Sequence, residues 1–398
     1  MQIFPFPNGK IPCVVDNRGA DPVPEHDSHG EFIYVVMQYF HFTKDTIWLR
    51  GKFDNIIKAV RYIQFLRSQR KTDVFKYGTP EQRAMFGLFP ESISHEGYSA
   101  KPMHSYWDDF WVLRGLNDAT AIARILGEKK LEEEFKSETD DFQSCLYASM
   151  RLAMQNKNID YIPGCVELGD FDATSTAIGV NPIGELGNIP EPQLTNTFDR
   201  YYKFFTDRRD GKIDWVNYTP YEVRIIGAYV YMDQKQRAQE LLNFFFEDQR
   251  PKGWNHWAEV VWKNPDTPRF IGDMPHTWVA SDFIRSIRSM FVYEREKDTS
   301  LVIGAGIPED WMNEPDGIEV KKLPTYYGDL NYSMKKIGES LVVEIVGNIQ
   351  IPNGKIILRS PLRNPIVSVQ INGKPVRQTR RGIVIETLPA TVILKSAR

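Results

Sequence analysis

From about residue 30 to about 295, apolar positions recur at three- and four-residue intervals, the period of helices buried along one face. The stretch 31–40 is one such element. The stretch 54–67 is another, with Ile56, Val60, Ile63 and Leu66 on one side. The pairing repeats at about 107–127 with 130–154, 172–180 with 195–206, and 219–232 with 234–248, before a helix at about 277–294. Tight returns such as Thr43-Lys44-Asp45 and Gly127-Glu128 make these pairs antiparallel hairpins, about five in all. The loops entering each pair are longer and richer in Gly, Pro and aromatics. An array of hairpins closing into a ring gathers its long loops on one face. The expected fold is therefore mainly α, a ring of helical hairpins. A sixth hairpin is not found, so the ring lacks an N-terminal hairpin or the missing part lies upstream.

After Pro324 the period changes to two. Short alternating runs at 341–346, 355–358, 366–371, 382–385 and 391–394, with the turn pair Asn372-Gly373, predict a small antiparallel β domain. The expected organisation is a helical catalytic domain over 1–323 and a β-sandwich-like accessory domain over 324–398.

Charge narrows the function. With 49 Lys+Arg against 52 Asp+Glu the formal net charge is −3, which argues against a nucleic-acid partner. No run approaches the roughly 18 apolar residues of a membrane helix, and the first residues lack the basic and apolar regions of a signal peptide, which points to a cytoplasmic protein. Cys13, Cys145 and Cys165 are odd in number and widely spaced, supporting neither a disulfide framework nor a CxxC metal site. Aromatic residues are abundant, at 13 % with 9 Trp. Tryptophans in loops beside carboxylates are one way proteins hold sugar rings.

Four loop clusters carry candidate chemistry. In Cys165-Val166-Glu167-Leu168-Gly169-Asp170-Phe171-Asp172, three carboxylates crowd a glycine-bearing loop before a helix, although Asp172 followed by Thr174 equally fits an N-cap. In Gly253-Trp254-Asn255-His256-Trp257-Ala258-Glu259-Val260-Val261-Trp262, one carboxylate sits among three tryptophans. Two carboxyls in unequal surroundings can divide the acid and base roles of glycosidic cleavage. In His104-Ser105-Tyr106-Trp107-Asp108-Asp109, the aspartates favour a helix start, and Trp107 with Asp108 also offers a stacking face beside an acceptor for sugar hydroxyls. Around Glu25-His26-Asp27-Ser28-His29, helix capping by Asp27 or Ser28 with polar ligand contacts fits better than a metal site, since the spacing matches no zinc signature.

These residues resemble the six-hairpin (α/α)6-toroid glycosidases, in particular glucoamylase-like enzymes of glycoside hydrolase family 15. In that family the general base is a loop Glu followed by Trp, a Pro-containing loop and a final helix opening with Trp and Ala. Trp257-Ala258-Glu259-Val260-Val261-Trp262 followed by Met274-Pro275-His276-Thr277-Trp278-Val279-Ala280 is similar in order, which implies Glu259 as base. The family's acid lies in a mid-barrel loop of carboxylates around an aromatic, which implies Asp170, with Asp172 or Glu167 as alternatives. Here the chain departs from the pattern, with Asp for the usual Glu and Gly169 where the family has Trp. Tyr106-Trp107-Asp108-Asp109 also resembles the Trp-Asp substrate motif of related toroid enzymes.

The resemblance implies an exo-acting glycoside hydrolase that inverts the anomeric centre, with its carboxyls roughly 6.5–9.5 Å apart and no metal or organic cofactor. Its partner is a carbohydrate substrate. Trp107, Asp108, Asp109, Trp254 and Trp257 are expected around the sugar, with Glu167, His256, Arg18, Glu25, His26 and His104 as further contacts. Three rivals remain: a phosphorylase, which would lack the base; an epimerase using His256 and His276; and a non-catalytic carbohydrate-binding remnant.

Overall fold

The computed structural model describes residues 6–95, 97–264, 266–267 and 274–397. Residues 1–5, which carried part of the signal-peptide reading, lie outside them. The chain forms two compact units, Met1–Phe204 and Phe205–Arg398.

The first unit begins with a two-strand ribbon, β1 (Val15–Asp16) and β2 (Gly19–Ala20), then α1 (Asp27–Thr43) and α2 (Thr46–Ser68). Phe32, Ile33, Val36, Met37 and Phe40 bury one side of α1. Lys44 ends it in the left-handed region at φ 57°, and Asp45 starts α2 by accepting a hydrogen bond from the Trp48 amide at 2.8 Å. That is the tight return expected at 43–45. Two short helices follow that the periodicity does not reveal, α3 (Asp73–Tyr77) and α4 (Pro80–Ala84). Next come α5 (Tyr106–Ile125), α6 (Lys129–Lys157), α7 (Ala173–Val180) and α8 (Gln193–Arg209), which crosses into the second unit.

Helix α5 is the centre of this unit, packed against α1, α2, α6 and α7 and buried on nearly every side. Each large apolar side chain it buries contributes about 1.5–3 kcal/mol. Its Arg114 is tolerated because Asp118, one turn on, pairs with it at 2.9 Å. Against α1 the two backbones meet at glycines: a Cβ on Gly30 would lie 2.0 Å from the Trp111 carbonyl oxygen, and one on Gly115 would lie 2.6 Å from Gly30 Cα.

The second unit carries α9 (Val223–Tyr231), α10 (Lys235–Glu247) and α11 (Thr277–Phe291), with α9 against both others. A ribbon pairs β3 (Asn217–Tyr218) with β4 (Val261–Trp262). The expected fifth hairpin is a single helix, because α11 runs directly into a strand, β5 (Val292–Arg295), instead of turning back as a helix.

Strand pairing thus starts well before Pro324. β5 joins β6 (Ser300–Ile303), later completed by β10 (Ile356–Leu358) and β13 (Ile383–Ile385) in the order β13-β10-β6-β5. The second sheet contains β7 (Ile318–Thr325), β8 (Gly328–Ile337), β9 (Ser340–Ile349), β11 (Ile366–Ile371), β12 (Lys374–Val376) and β14 (Ala390–Ser396), ordered β12-β11-β14-β9-β8-β7. Pro324 therefore lies inside β7. It is accommodated because β7 is an edge strand, where a missing N–H leaves no ladder bond broken. Pairing is antiparallel except between β6 and β10. Leu330, Tyr332 and Met334 of β8, Leu341, Val343 and Ile345 of β9, and Val392 and Leu394 of β14 alternate inward into one core with residues of the four-stranded sheet. The turn at Asn372-Gly373 has positive φ at both residues, 50° and 77°, as a two-residue hairpin requires.

Candidate active site

In the first unit the starts of α1 and α5, the segment 88–105 and the loop 160–172 come together. Trp107 donates its indole N–H to Asp27 Oδ2 at 2.7 Å, and both residues are buried. Asp27 therefore does not cap its helix as expected; its carboxyl turns toward α5. Asp108 accepts from the Ser92 hydroxyl through Oδ2, and its Oδ1 has no partner among the described residues. Asp109 accepts from the Phe89 amide at 3.3 Å and leaves its Oδ2 unpartnered. Burial pushes all three carboxyls upward. For Asp27 the Trp107 bond opposes the shift, for Asp108 the Asp27 charge adds to it, and Asp109 is pushed up to about 8.

This gives a pH signature. The folded chain keeps the Asp109 proton between about pH 4 and pH 8, where the unfolded chain has released it, so its contribution to stability declines as pH rises through that window. Relative to wild type, Asp109→Asn should gain stability from pH 5 to pH 8, by roughly 2–4 kcal/mol. Urea unfolding at the two pH values checks this; an equal difference at both would overturn it.

His26 and His29 lie beneath the same helix start. Burial depresses them to about 3 and about 4, with the neighbouring His29 adding to the effect on His26. The His29 ring stacks on Tyr62 at 5.0 Å. Its Nδ1 approaches the His26 carbonyl at 3.1 Å and its Nε2 accepts from the Ile11 amide, so the ring proton sits on Nδ1. Among the described residues no three His, Cys, Asp or Glu side chains converge as metal ligands would.

The three carboxylates of the 165–172 loop have different partners. Arg70 Nε donates to His104 Nε2 at 2.9 Å, which puts the ring proton on Nδ1, facing Glu167 at 2.6 Å. Against partial burial, the bonds from the His104 side chain and amide hold Glu167 below the usual carboxylate range. Asp172 is half-buried, yet the nearby His95 charge and bonds from Ser175 and Thr174 hold it low. It caps α7, accepting from the Ser175 amide at 3.0 Å and the Thr174 hydroxyl at 2.6 Å. Asp170 is held by the Cys165 amide at 3.1 Å and the Tyr98 hydroxyl at 2.9 Å.

Two neighbours escaped the sequence reading. His95 lies 4.6 Å from the Trp107 ring, with Nδ1 2.9 Å from the Ser94 hydroxyl, and Tyr98 reaches Asp170. The Ser92-Ile93-Ser94-His95 run just upstream of Trp107 was the available signal. Trp107 is only 1 % exposed, its indole bonded to Asp27 and one face against His95, so it is not an open stacking wall. Asp109 is turned to backbone, and Arg18 sits on the ribbon, ion-paired to Asp16 at 2.5 Å with its side chain 79 % exposed. Glu25 is half-buried just before α1.

In the second unit, Glu259 lies two residues before β4. The Thr219 hydroxyl donates to its carbonyl oxygen at 2.7 Å. Its half-buried carboxylate has no hydrogen bond or ion pair among the described residues. Trp254 is exposed, whereas Trp257 is buried and donates to the Phe245 carbonyl at 3.0 Å, so it supports the core and is not a sugar platform. His256 is half-buried with Nε2 unpartnered among the described residues. His276 Nε2 lies 2.5 Å from the Tyr221 hydroxyl.

Neither a protein-family model nor a curated protein sequence matches the chain. Solved structures do. An α-L-rhamnosidase from Dictyoglumus thermophilum superposes with a TM-score of 0.57 at 12 % identity, over 98 % of this chain and 41 % of that one. A GH78-family rhamnosidase from Bacillus sp. GL1 gives 0.54 at 10 % identity, over 87 % of this chain and 34 % of that one. The chain thus spans well under half the length of either. Glycoside hydrolase family 15 is not among these likenesses, although the broader toroid resemblance agrees with them. Among the described residues no helix is long and apolar enough to cross a membrane. The chain has the fold of these glycoside hydrolases, a helical toroid followed by a β domain.

Proposed function

We propose that the chain is an inverting, exo-acting glycoside hydrolase in which Asp170 protonates the leaving oxygen and Glu259 takes a proton from the attacking water. The observation that carries the reading is the likeness to two rhamnosidases over nearly the whole chain. Because a fold alone does not specify chemistry, the residues must supply the rest. Glu259 offers a carboxylate with no competing partner among the described residues, as a base needs. In the acid loop, Asp172 caps α7 and Glu167 is bonded to His104, which holds both below the usual carboxylate range, and we assign the acid role to Asp170, the third carboxyl of the loop, whose partners are an amide and a phenol. Trp254 supplies an exposed aromatic face for the sugar. The epimerase alternative is disfavoured because His276 Nε2 is engaged by Tyr221.

The neighbours' names make terminal α-L-rhamnosides the first substrates to try. Nitrophenyl and alkyl glycosides of a panel of sugars, rhamnose included, should release a monosaccharide without added phosphate, its first-formed anomer inverted by NMR. Release that requires phosphate, release with retention, or conversion of a free sugar without bond cleavage would overturn the reading.

A further inference from the structure

Asp170 is gripped from two directions. The Cys165 amide holds Oδ1, and the hydroxyl of Tyr98, 72 residues away in sequence, holds Oδ2 at 2.9 Å. The approach depends on a missing side chain. A Cβ on Gly164 would lie 2.8 Å from both Asp170 Oδ2 and the Tyr98 hydroxyl, and 3.1 Å from Asp172 Cβ. Gly164 is itself fixed, its amide donating to the Asp170 carbonyl at 2.9 Å and its own carbonyl accepting from Tyr106 at 3.0 Å. Tyr98 is placed by its own loop. Ser92 and Met103 pair across it, the Tyr98 amide donates to the Ile93 carbonyl at 3.1 Å, and Ser94 turns the chain in the left-handed region at φ 55°. Two loops distant in sequence thus meet at one carboxyl group.

We infer that Tyr98 is the positioning residue for Asp170, donating the hydrogen bond that orients its carboxyl and stabilises the carboxylate left when the proton passes to the leaving oxygen. The inference rests on Asp170 being the acid. A donor to the charged form makes a carboxyl a stronger acid, so the bond matters most after proton transfer. The groups that could compete are few. Cys165 is pushed up to about 12 by burial and the Asp170 charge, and stays a thiol. Asp172 is already ionised, with His95 near it. Arg200 stands over the Phe171 ring at 4.9 Å, and Glu167 faces His104. Burial, reinforced by Cys165, Asp170 and Asp172, raises Tyr98 itself, which keeps the phenol a donor.

The test titrates Asp170 by carbon NMR of aspartate-labelled protein, assigned with Asp170→Asn, in wild type and Tyr98→Phe. Gly164→Ala, which parts the two groups without removing either, is the second variant. Both variants should shift the Asp170 midpoint upward by about one pH unit. An unchanged midpoint in both overturns the role of Tyr98. In turnover, Tyr98→Phe should slow an alkyl glycoside about tenfold and a nitrophenyl glycoside little, since the better leaving group needs less protonation, and should move the basic limb of kcat/KM to higher pH. Equal losses on both glycosides with an unmoved limb would make Tyr98 merely structural and overturn the inference. Asp170→Asn that cleaves alkyl glycosides at the wild-type rate would instead overturn the assignment of Asp170 as acid, whatever Tyr98 does to its titration.

Discussion

Glu259→Gln is expected to lower kcat by about a thousandfold, within the range for losing a positioned general base, with KM changed only a few-fold. The amide keeps the size and much of the polarity of the side chain but cannot accept the proton of water. No hydrogen bond or ion pair of the carboxylate is broken among the described residues. The backbone there is held independently, by Thr219 and by the β3–β4 ribbon that begins two residues later. The variant should therefore unfold at the wild-type denaturant midpoint, separating chemistry from folding. Added azide, which needs no base, should restore turnover and give a glycosyl azide of inverted configuration. A variant that turns over at the wild-type rate would remove Glu259 from the mechanism.

Gly30→Ala is expected to destabilise the protein by about 3 kcal/mol. The new methyl group would lie against the Trp111 carbonyl, a backbone atom of a helix buried on almost every side, so it cannot be relieved by turning a side chain. The two helices must move apart and leave gaps in the core around Ile33 and Leu113. Gly51, on the exposed side of α2, has nothing within 4 Å of an added Cβ. There the same change should stabilise, by up to about 1 kcal/mol, through higher helix propensity alone. Urea unfolding of both variants gives the comparison; a Gly30→Ala protein as stable as wild type would mean the crossing is soft.

Most of the long helices were legible because they bury one side at a clear period, with ends marked by local signals such as Asp45 and Lys44, whereas α3 and α4 are too short to show a period. Strand β8 and the short β12 were not read; β9, β11 and β14 were legible for the same reason at a period of two, and β10 and β13 as short apolar runs between turns. Strands β5 and β6 were not, because β5 follows α11 without a break and β6 is buried at every position, a pattern that does not alternate. β7 was hidden by its proline and by a register shift between Val320 and Leu323.

In the candidate site, residue types were legible and their partners were not. Sequence order offers nothing to say that Trp107 turns to Asp27, that Arg70 reaches His104, or that Tyr98 meets Asp170, since each contact joins segments far apart in the chain. The aromatic neighbours of Glu259 read alike, yet Trp254 is exposed and Trp257 is buried. Only Asp172 announced its local role, because a cap and its helix are contiguous.

The meeting of Gly30 and Gly115 has a consequence for engineering. Gly30 lies about one turn beyond Asp27 and Gly115 about two turns beyond Asp108, so the main chain fixes how far apart those two carboxyls are carried. Under the proposed glycosidase function, substitutions in the 88–105 and 160–172 segments would change which hydroxyl groups are recognised while the frame holding them keeps its dimensions. A library aimed at new sugar selectivity belongs in those segments, with both glycines left as invariants of the scaffold.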